Sequence, residues 1–486
     1  MTDKLTNKKT LVILLNVVLF TKCGDTATED KTNDYDPLNV LFITADDMNY
    51  NSIGCYGSDV ENISPNLDRL AGQGMMFTNA YVNIAVCQPV RQSMMTGRYP
   101  HNNGALGFDP IDMDVPTLQE QLNRVGYLNG IMGKERHYQP TEKYCWDYYV
   151  TERDLASGLG IGRCPDLYYE FALEFFNRAA SQNRPFFLSA NAHDPHRPFA
   201  GSEQEMRAWG EDLPVFRREI LPEEVTVPGF LPDLPEIRLE IAEYYTSVYR
   251  MDEVVGAVLQ ALDDSGLSDN TIVMFISDHG MPLPFAKSNV YLNSNKTPWI
   301  VRWPGKIEEG SVDTTHFIST IDFMPTILHA LRLPLVPDMD GRSFLPLLEG
   351  KSQNNRDMVF TQFHEIFARI DYSMRSIQEE RYGYIVNFWS DGEHEIRGDA
   401  ASGRTFRAMR EAAPYDEQVA ERLDMYVYRV PEELYNYRSD PDGLVNLIDD
   451  PAHTEEKERL KNLLYQQMSR TGDPLADEFE ERFLVN

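Results

Sequence analysis

The sequence Pro37-Leu38-Asn39-Val40-Leu41-Phe42-Ile43-Thr44 decides the fold class of this chain. Its apolar and β-branched residues follow one another almost without interruption, which is typical of a strand buried on both faces of a parallel sheet. Two further runs of this kind lie at residues 185–190 and 270–277, and helical patterns occupy residues 167–181 and 236–264. Strands that alternate with helices predict a doubly wound α/β sheet.

The character of the sequence changes after residue 350. Residues 351–486 contain shorter strand-like runs, such as residues 381–387, and a polar helical pattern near residues 455–470. We therefore predict a main domain at residues 37–350 and a smaller C-terminal α+β subdomain with an antiparallel sheet at residues 351–486.

The first 36 residues have the pattern of an export signal followed by a tether. An apolar run at residues 11–20 follows several lysines and is too short to span a bilayer as a stable helix. The sequence Phe20-Thr21-Lys22-Cys23 resembles a bacterial lipoprotein cleavage box, which predicts a signal peptide at residues 1–22 and lipidation of Cys23. Residues 23–36 are polar and acidic, as a flexible tether requires.

We accordingly expect an exported protein, either in the periplasm or as an outer-membrane lipoprotein that can face the cell surface. It would meet the membrane only through its lipid anchor. The alternative is a plain secretory signal followed by a chance cysteine.

The charge of the chain excludes one class of partner. The 486 residues include 45 Lys and Arg against 76 Asp and Glu, a formal net charge of −31. Nucleic acid binding needs a basic surface, so we expect no nucleic acid partner. An anionic substrate would have to be met by a local cluster of basic side chains.

Two pairs of polar residues follow predicted strands. Asp46-Asp47 comes just after the first run, and Asp278-His279 comes directly after the run at residues 270–277. Open α/β sheets place their ligand sites at the carboxyl ends of their strands, and adjacent carboxylates suit a hard divalent cation. Either pair alone would more commonly be a turn or a helix cap. Two pairs on one predicted edge instead favour a metal site.

The sequence Cys87-Gln88-Pro89-Val90-Arg91, followed by Thr96-Gly97-Arg98, resembles the signature of the type I sulfatases, Cys-x-Pro-Ser-Arg with Thr-Gly-Arg downstream. Val90 stands where serine or alanine is usual. The resemblance implies that a formylglycine-generating enzyme or an anaerobic sulfatase-maturating enzyme converts Cys87 to formylglycine (3-oxoalanine). The alternative is that Cys87 is a buried thiol packed beside a turn proline.

Further motifs match the same family in the same order over residues 38–448. Gly133-Lys134-Glu135-Arg136-His137 has the lysine-to-histidine spacing of iduronate-2-sulfatases, with Arg136 as the rival of His137. His193-Asp194-Pro195-His196-Arg197-Pro198 is similar to heparan N-sulfatases. Lys287 matches the family lysine that binds the sulfate group of the substrate. The resemblance implies an alkaline-phosphatase-like fold with a mixed sheet, in which residues 37–350 form the catalytic domain.

The resemblance also implies a set of site residues for a sulfuric ester hydrolase. The implied ligands of one Ca²⁺ are Asp46, Asp47, Cys87 as formylglycine, Asp278 and His279. The implied catalytic residues are Cys87, Arg91, Lys134, His137, His196 and Lys287.

Each implied catalytic residue has a role. The hydrated formylglycine would attack sulfur while Lys134 and Lys287 offset negative charge, and Arg91 would do so chiefly by fixing the diol. His196, either alone or together with Lys287, would protonate the departing sugar oxygen as a general acid, and His137 would take a proton from the hydrate as sulfate leaves.

Cysteine usage leaves one question open. With Cys23 and Cys87 assigned, three of the five cysteines remain, namely Cys55, Cys145 and Cys164. At most one disulfide can form among them, and a bridge between Cys145 and Cys164 is one candidate.

We expect the substrate to be a sulfated polysaccharide or its oligosaccharides. Strongly acidic composition is common in secreted proteins from salty habitats, where screening weakens charge repulsion, and this favours an algal glycan such as ulvan over an animal glycosaminoglycan. The candidates for substrate contact are His101, Asn102, Arg197, His364 and Arg375. An ordinary role as a polar loop residue is an equal alternative for each of them.

Two other functions fit the same residues. Phosphatases and phosphonate hydrolases share the metal carboxylates, and some phosphonate hydrolases also carry formylglycine. If Val90 blocked the conversion of Cys87, the chain would be a non-catalytic glycan-binding lipoprotein. The presence of Lys134, His196 and Lys287 argues against that second alternative.

Overall fold

The central sheet is built around β1 (Asn39–Ala45), which the first apolar run forms. The computed structural model describes residues 37–156, 161–210 and 216–485. In it β1 pairs in parallel with β6 (Phe186–Asn191) on one side and with β7 (Thr271–Ser277) on the other. Every residue of these three strands is buried, which explains why their sequences do not alternate between apolar and polar residues.

Five shorter strands complete this sheet: β2 (Met75–Phe77), β4 (Leu128–Met132), β5 (Tyr148–Val150), β8 (Trp299–Arg302) and β9 (Ser311–Asp313). The spatial order is β5-β4-β6-β1-β7-β8-β2-β9. Only β8 runs antiparallel to its neighbours. A separate parallel pair joins β3 (Ala80–Tyr81) to β10 (Ile318–Ser319). The prediction of a mixed, doubly wound α/β sheet is confirmed.

Ten helices connect these strands within the described residues: α1 (Pro65–Gly72), α2 (Cys87–Thr96), α3 (Pro100–Asn103), α4 (Leu118–Arg124), α5 (Pro165–Ser181), α6 (Glu203–Trp209), α7 (Pro235–Asp264), α8 (Leu292–Asn295), α9 (Phe323–Ala330) and α10 (Leu345–Leu348). A proline in the first turn starts α1, α5 and α7, where its missing N–H costs no helical hydrogen bond. The two longest of these ten helices, α5 and α7, pack against each other.

The C-terminal part carries the predicted antiparallel sheet. Its strands are β11 (Met358–Glu365), β12 (Asp371–Glu379), β13 (Tyr382–Asn387) and β14 (Glu432–Asn436), in that spatial order. Its helices are α11 (Arg404–Ala412), α12 (Glu417–Tyr428), α13 (Thr454–Thr471) and α14 (Ala476–Phe479). Leu460 and Leu464 of α13 pack in one apolar cluster with Ile377 and Tyr384 of the sheet.

The main apolar core crosses the predicted boundary at residue 350. Phe363 and Met374 of the C-terminal sheet and Met409 of α11 belong to the same cluster as Phe42 of β1. The chain from Pro37 onward accordingly forms one compact unit.

Helix α2 is an element that the sequence pattern did not predict. It starts at Cys87, and every one of its residues is buried, including Gln88, Arg91 and Gln92. A helix buried on all sides shows no alternation between an apolar and a polar face, so periodicity does not reveal it. Gly97 ends the helix with a φ of 66°, a conformation that glycine adopts without strain.

Four further predictions concern the N-terminus and the cysteines. The signal peptide at residues 1–22, the tether at residues 23–36 and the lipidation of Cys23 lie outside the described residues. No helix in the described part of the chain is long and apolar enough to cross a membrane. The four cysteines in the described ranges are all free thiols, so the candidate bridge between Cys145 and Cys164 is not formed.

Candidate active site

The two predicted polar pairs lie side by side at the carboxyl edge of the central sheet. Ala45 of β1 is in register with Ser277 of β7, so Asp46 and Asp278 leave neighbouring strands at the same level. The backbone N–H of Asp47 donates a hydrogen bond of 3.0 Å to Asp278 Oδ1. The predicted proximity of the pairs is thus a direct result of parallel strand pairing.

Cys87 lies beside these residues at the first position of α2. Its side chain is buried, with Sγ 3.3 Å from His279 Nε2 and 3.9 Å from Asp47 Oδ1. Burial and the nearby Asp46 carboxylate raise the pKa of the Cys87 thiol well above its usual value. The unmodified side chain is therefore a neutral thiol and a poor nucleophile.

Arg91, one turn further along α2, holds the helix against three strand ends. Its Nη1 donates to Thr44 Oγ1 and Asn191 Oδ1, both at 2.8 Å, and its Nη2 donates to Asp278 Oδ2 at 2.9 Å. The guanidinium is fully buried, and its charge offsets the carboxylates around it. This network fixes where residue 87 stands relative to the acidic pairs.

The donor set fits a divalent cation. Ligand atoms of Asp46, Cys87, Asp278 and His279 all lie within 4.8 Å of one another. Both carboxylate oxygens of Asp46 are buried; Oδ2 contacts the Lys134 ammonium, and Oδ1 has no hydrogen-bond partner within the described residues. Buried polar atoms without a partner commonly mark the position of an ion or a water.

The ionisation of the carboxylates agrees with a cation site. Burial opposes the ionisation of Asp46, yet Lys134, His196 and Arg91 hold its pKa well below the usual value. Burial and the Asp46 charge raise the pKa of Asp278. Two neighbouring buried carboxylates that resist joint ionisation would be stabilised by a divalent cation between them.

His279 presents the correct nitrogen for a ligand. Its Nδ1 is 3.0 Å from the carbonyl oxygen of Gly280. A carbonyl can only accept, so Nδ1 donates to it, and Nε2 is the nitrogen that faces Cys87 and Asp47 and could bind a cation.

Two buried lysines flank the acidic residues. Lys287 Nζ lies 2.9 Å from Asp47 Oδ1 and 3.2 Å from Asp399 Oδ2. Lys134 contacts Asp46 Oδ2 and lies 3.9 Å from Glu152 Oε1. Burial alone would lower the pKa of both ammonium groups, but the carboxylates outweigh it and raise both values, so the lysines stay charged.

Three histidines border the same space. The Nδ1 of His196 is 2.5 Å from the Arg197 carbonyl oxygen, and its Nε2 is 4.0 Å from Asp47 Oδ2. The Nδ1 of His137 is buried and has no hydrogen-bond partner in the described ranges. Burial lowers the pKa of His137 and of His196. His193 pairs with Glu152 Oε1 at 3.5 Å, which agrees with a supporting role in its loop.

An open cavity of about 640 Å³ connects these side chains to solvent. The predicted site residues on its wall are Asp47, Cys87, Lys134, His137, His196, Arg197 and Lys287. Arg136, the rival of His137, also lines the cavity, but its side chain is largely exposed.

Four predicted substrate contacts are not on this wall. His101 Nδ1 is 3.0 Å from Gln362 Oε1, and His364 Nε2 is 2.6 Å from the same oxygen. Asn102 donates to Asp340 and to the Thr471 carbonyl oxygen. Arg375 is fully buried against Asp473.

The structure thus uses these four residues, His101, Asn102, His364 and Arg375, to join the C-terminal sheet and helix α13 to the region after α2. Their polar groups have partners within the protein, and these partners hold them away from the cavity.

The cavity also contains residues that sequence motifs missed. Glu152 follows β5, while Asp399 and Phe367 come from loops of the C-terminal part, and Phe108 follows α3. No spacing or residue pattern marks any of the four. Asp399 and Phe367 reach the cavity through the packing of the C-terminal part against the main part, and Glu152 and Phe108 reach it from loops of the main part.

Comparisons of the sequence identify relatives. The sulfatase family profile matches residues 38–333, and the profile described as N-sulphoglucosamine sulphohydrolase, C-terminal, matches residues 278–424. Human N-sulphoglucosamine sulphohydrolase is 31% identical over 466 residues, covering 90% of this chain and 91% of the relative. An ulvan-active sulfatase from Formosa agariphila is 28% identical over 488 residues, covering 97% of this chain and 90% of the relative.

Solved structures share the fold. One structure, in complex with its substrate D-glucosamine-2-N,6-O-disulfate, has a TM-score of 0.67 at 19% identity and covers 91% of this chain and 99% of its own. The phosphonate monoester hydrolase of Agrobacterium radiobacter has a TM-score of 0.62 at 21% identity. The match covers 89% of this chain and 96% of the hydrolase chain. The family profile spans most of the chain from β1 to α9, and the site geometry lies within that span. The chain therefore belongs to the sulfatase family and is a sulfuric ester hydrolase that resembles heparan N-sulfatase.

Proposed function

We propose that this protein hydrolyses sulfate groups of a sulfated polysaccharide or its oligosaccharides, using formylglycine made from Cys87 and one bound Ca²⁺. The observation that supports this most directly is the position of Cys87. It stands at the start of a buried helix, within 4 Å of Asp47 and His279, at a cavity that also holds Lys134 and Lys287. A sulfate placed over residue 87 would lie among these charged groups.

Asp46, Asp47, Asp278 and His279 are the protein residues that would hold the cation. When bound, the cation supplies a Lewis acid that lowers the pKa of a hydroxyl on the hydrated formylglycine and orients sulfate oxygens. Oδ1 of Asp46 makes no hydrogen bond within the described residues, so it is available as a ligand. Carboxylate oxygens from three aspartates favour a hard ion such as calcium.

Lys134 and Lys287 would stabilise the negative charge of the transferred group. Both are buried and paired with carboxylates, so their ammonium groups are fixed before substrate arrives. Fixed charges in a site that excludes water lower the energy of a charged transition state without reorganisation. Arg91 acts differently, because it holds helix α2 and does not line the cavity.

His196 and His137 are the proton carriers in this proposal. The Arg197 carbonyl fixes the ring of His196 through Nδ1, so a proton on Nε2 points to the side of Asp47 and can pass to the leaving oxygen. Negative charge from Asp47 and from the bound sulfate favours that protonated form. His137 has a buried nitrogen without a partner in the described ranges, which can accept a proton from residue 87.

Maturation of Cys87 is the step that the proposal requires first. Cys87 is 3% exposed and Val90 is fully buried in the main core, so a modifying enzyme must reach this segment before α2 packs. We would measure the mass of the tryptic peptide that contains residue 87, from protein made together with a formylglycine-generating enzyme. The aldehyde is expected as a loss of about 18 Da relative to cysteine.

The variant Val90→Ser, measured in the same way, is the matched comparison. Conversion of the variant alone would mean that the enzyme of this host rejects valine. Cysteine left unmodified in both proteins would contradict the formylglycine proposal. Serine at position 90 would bury a hydroxyl group that needs a hydrogen-bond partner, which can destabilise the core. Folding of the variant must therefore be checked by circular dichroism.

We favour ulvan oligosaccharides as the substrate class. The acidic composition of the chain and its similarity to an ulvan-active sulfatase over 97% of its length support this choice. N-sulfated glucosamine units are the second candidate. The C-terminal N-sulphoglucosamine sulphohydrolase profile supports them, because it matches the segment that supplies Asp399 and Phe367 to the cavity.

Release of inorganic sulfate distinguishes these substrates. Matured protein would be incubated with ulvan oligosaccharides, heparan sulfate oligosaccharides and N-sulfo-D-glucosamine, with the Cys87→Ala variant as a blank. Hydrolysis of a phosphonate monoester without any sulfate release would instead support the phosphonate hydrolase alternative. Binding of a glycan without turnover by fully matured protein would support the non-catalytic alternative.

We also propose that the protein is exported as a lipoprotein through Cys23. Support comes from the sequence pattern of residues 1–36 alone. Incorporation of labelled palmitate into the full chain, and its loss in Cys23→Ser, would support the proposal. Secretion of an unlabelled protein would contradict it in favour of a plain signal peptide.

A further inference from the structure

We infer that Phe367 and Phe108 form an aromatic platform that binds a pyranose ring of the substrate, next to the sugar whose sulfate reacts. The inference rests on the proposed action on a sulfated glycan and adds how the glycan chain is held. It concerns the outer part of the cavity, which the catalytic residues do not occupy.

Phe367 is an exposed aromatic residue at the outer edge, or rim, of the cavity. It lies in the turn between β11 and β12, lines the cavity and is 77% exposed. Leaving a phenylalanine ring in water forgoes about 1.5–3 kcal/mol of burial free energy. A single exposed aromatic residue would need no explanation, but this one belongs to a row of rings.

The row leads from the rim to the catalytic residues. The rings of Phe367 and Phe108 have centroids 5.2 Å apart and meet edge to face. Phe108 in turn lies 6.2 Å from the ring of His137, again edge to face. All three side chains line the same cavity, so the apolar surface is continuous with the reaction site.

The platform is held in place from both sides. Arg369, two residues after Phe367, pairs with Asp109 at 2.5 Å, next to Phe108. The carbonyl oxygen of Asp109 also accepts hydrogen bonds from Gln88 and Gln92 of helix α2, at 2.9 and 3.0 Å. The same helix carries Cys87, so the distance between platform and nucleophile is set by a rigid element.

A sugar ring is the ligand that this chemistry fits. One face of a pyranose presents C–H groups, and the π face of phenylalanine is electron-rich, so the two attract without a hydrogen-bonding group on the protein. Such a contact recognises the ring and not its charge. It can therefore bind a polyanionic glycan to a protein of net charge −31 without adding cations at the rim.

Cys87 lies deeper in the cavity than Phe367, and this difference determines which sugar of the glycan contacts the platform. Cys87 is 3% exposed, whereas Phe367 is 77% exposed. The sugar with the reacting sulfate therefore fills the buried part of the cavity, and the platform at the rim meets its neighbour in the chain.

The test compares chain lengths. Matured wild type and Phe367→Ala would be assayed on an ulvan tetrasaccharide and a heparan sulfate tetrasaccharide, each beside its own sulfated monosaccharide unit. We expect Phe367→Ala to raise the KM for the tetrasaccharide substrate by about three- to tenfold, with kcat and the monosaccharide KM changed by less than about twofold. Phe367→Tyr should keep the wild-type KM, because it keeps the ring.

Tyr415→Ala provides the matched control, because Tyr415 is 92% exposed and does not line the cavity. Equal changes on monosaccharide and tetrasaccharide, or no change on either, would overturn the platform. If wild type released no sulfate from any substrate, the proposed function would fail first. Calorimetric affinities of the two proteins for the same tetrasaccharides would then still test the platform, and equal affinities would reject it.

Discussion

The guanidinium of Arg91 lies 2.9 Å from Asp278 Oδ2, and neither side chain is exposed to solvent. The same group donates to Thr44 and Asn191, so one side chain joins helix α2 to the ends of β1, β6 and β7. Cys87 is at the start of that helix. The position of Cys87, the proposed nucleophile, relative to the proposed cation ligands therefore depends on this buried charge.

Removal of that charge should destabilise the protein. Arg91→Met removes the guanidinium that pairs with the buried carboxylate of Asp278, and we expect the free energy of unfolding to fall by about 3–5 kcal/mol. Urea denaturation of wild type and variant in the absence of divalent cations measures this change in the free energy of unfolding.

Arg356→Met is the control for this prediction, because Arg356 pairs with Asp322 in another buried site. Both variants should lose stability, but added Ca²⁺ should recover more of the lost stability in Arg91→Met, because Asp278 is a proposed cation ligand. An equal response of the two variants to Ca²⁺ would contradict the assignment.

Cation binding should stabilise the wild-type protein. A ligand that binds only the folded state at about 100 times its Kd adds about 2.7 kcal/mol, so Ca²⁺ should raise Tm and a chelator should reverse the rise. Asp46→Asn should abolish most of this shift. Asp473→Asn removes a buried carboxylate that pairs with Arg375 away from the cavity, and it should keep the shift. The prediction fails if the Tm of Asp46→Asn responds to Ca²⁺ as wild type does.

The two carboxylate partners of Lys287 should contribute differently to catalysis. Asp47 is buried, whereas the side chain of Asp399 is 64% exposed. We expect Lys287→Met to lower kcat/KM by about 100- to 1000-fold, because a fixed charge on the sulfate is lost. Asp399→Asn should lower it by less than about fivefold, since exposed ion pairs contribute little. Steady-state kinetics on the best sulfated substrate measures both, and a larger effect at Asp399 would assign substrate binding to that residue.

Acid should destabilise the protein partly through His193. Burial, with Lys134 and Arg163 nearby, lowers the pKa of His193 to about 3 in the folded state. The unfolded value is about 6.5, so between these values the unfolded chain binds more protons and stability decreases as pH falls. Between about pH 7.5 and about pH 5 this group should cost wild type about 2 kcal/mol.

The variant His193→Gln isolates that contribution, because glutamine keeps a polar side chain beside Glu152 but does not titrate. The free energy of unfolding, measured with urea at both pH values, should fall less in the variant than in wild type. An identical decrease in the two proteins would show that His193 is not buried as a neutral ring.

The fold was predictable where local sequence was unambiguous. The apolar runs of β1, β6 and β7 admit little besides buried strands, and their parallel pairing places Asp46 beside Asp278 without further information. Helix α2 was not predictable from periodicity, because its polar residues are buried in the site and no polar face shows in the pattern.

Substrate contacts were the least predictable part. Four polar residues are candidates from the sequence, yet the structure pairs all of them with other protein groups outside the cavity: His101, Asn102, His364 and Arg375. A polar side chain in a loop gives no sign of whether its partner is a ligand or a neighbouring helix.

The sequence by itself determined the family and the set of reactive groups, because the Cys87 motif, the acidic pairs and the spaced lysines and histidines are local patterns in a fixed order. Only the tertiary structure decided which groups share the cavity. Lys287 meets Asp47 across 240 residues, and Phe108 meets Phe367 between two loops. Residue patterns report on neighbours a few positions apart, whereas these contacts depend on how distant loops pack on the common core.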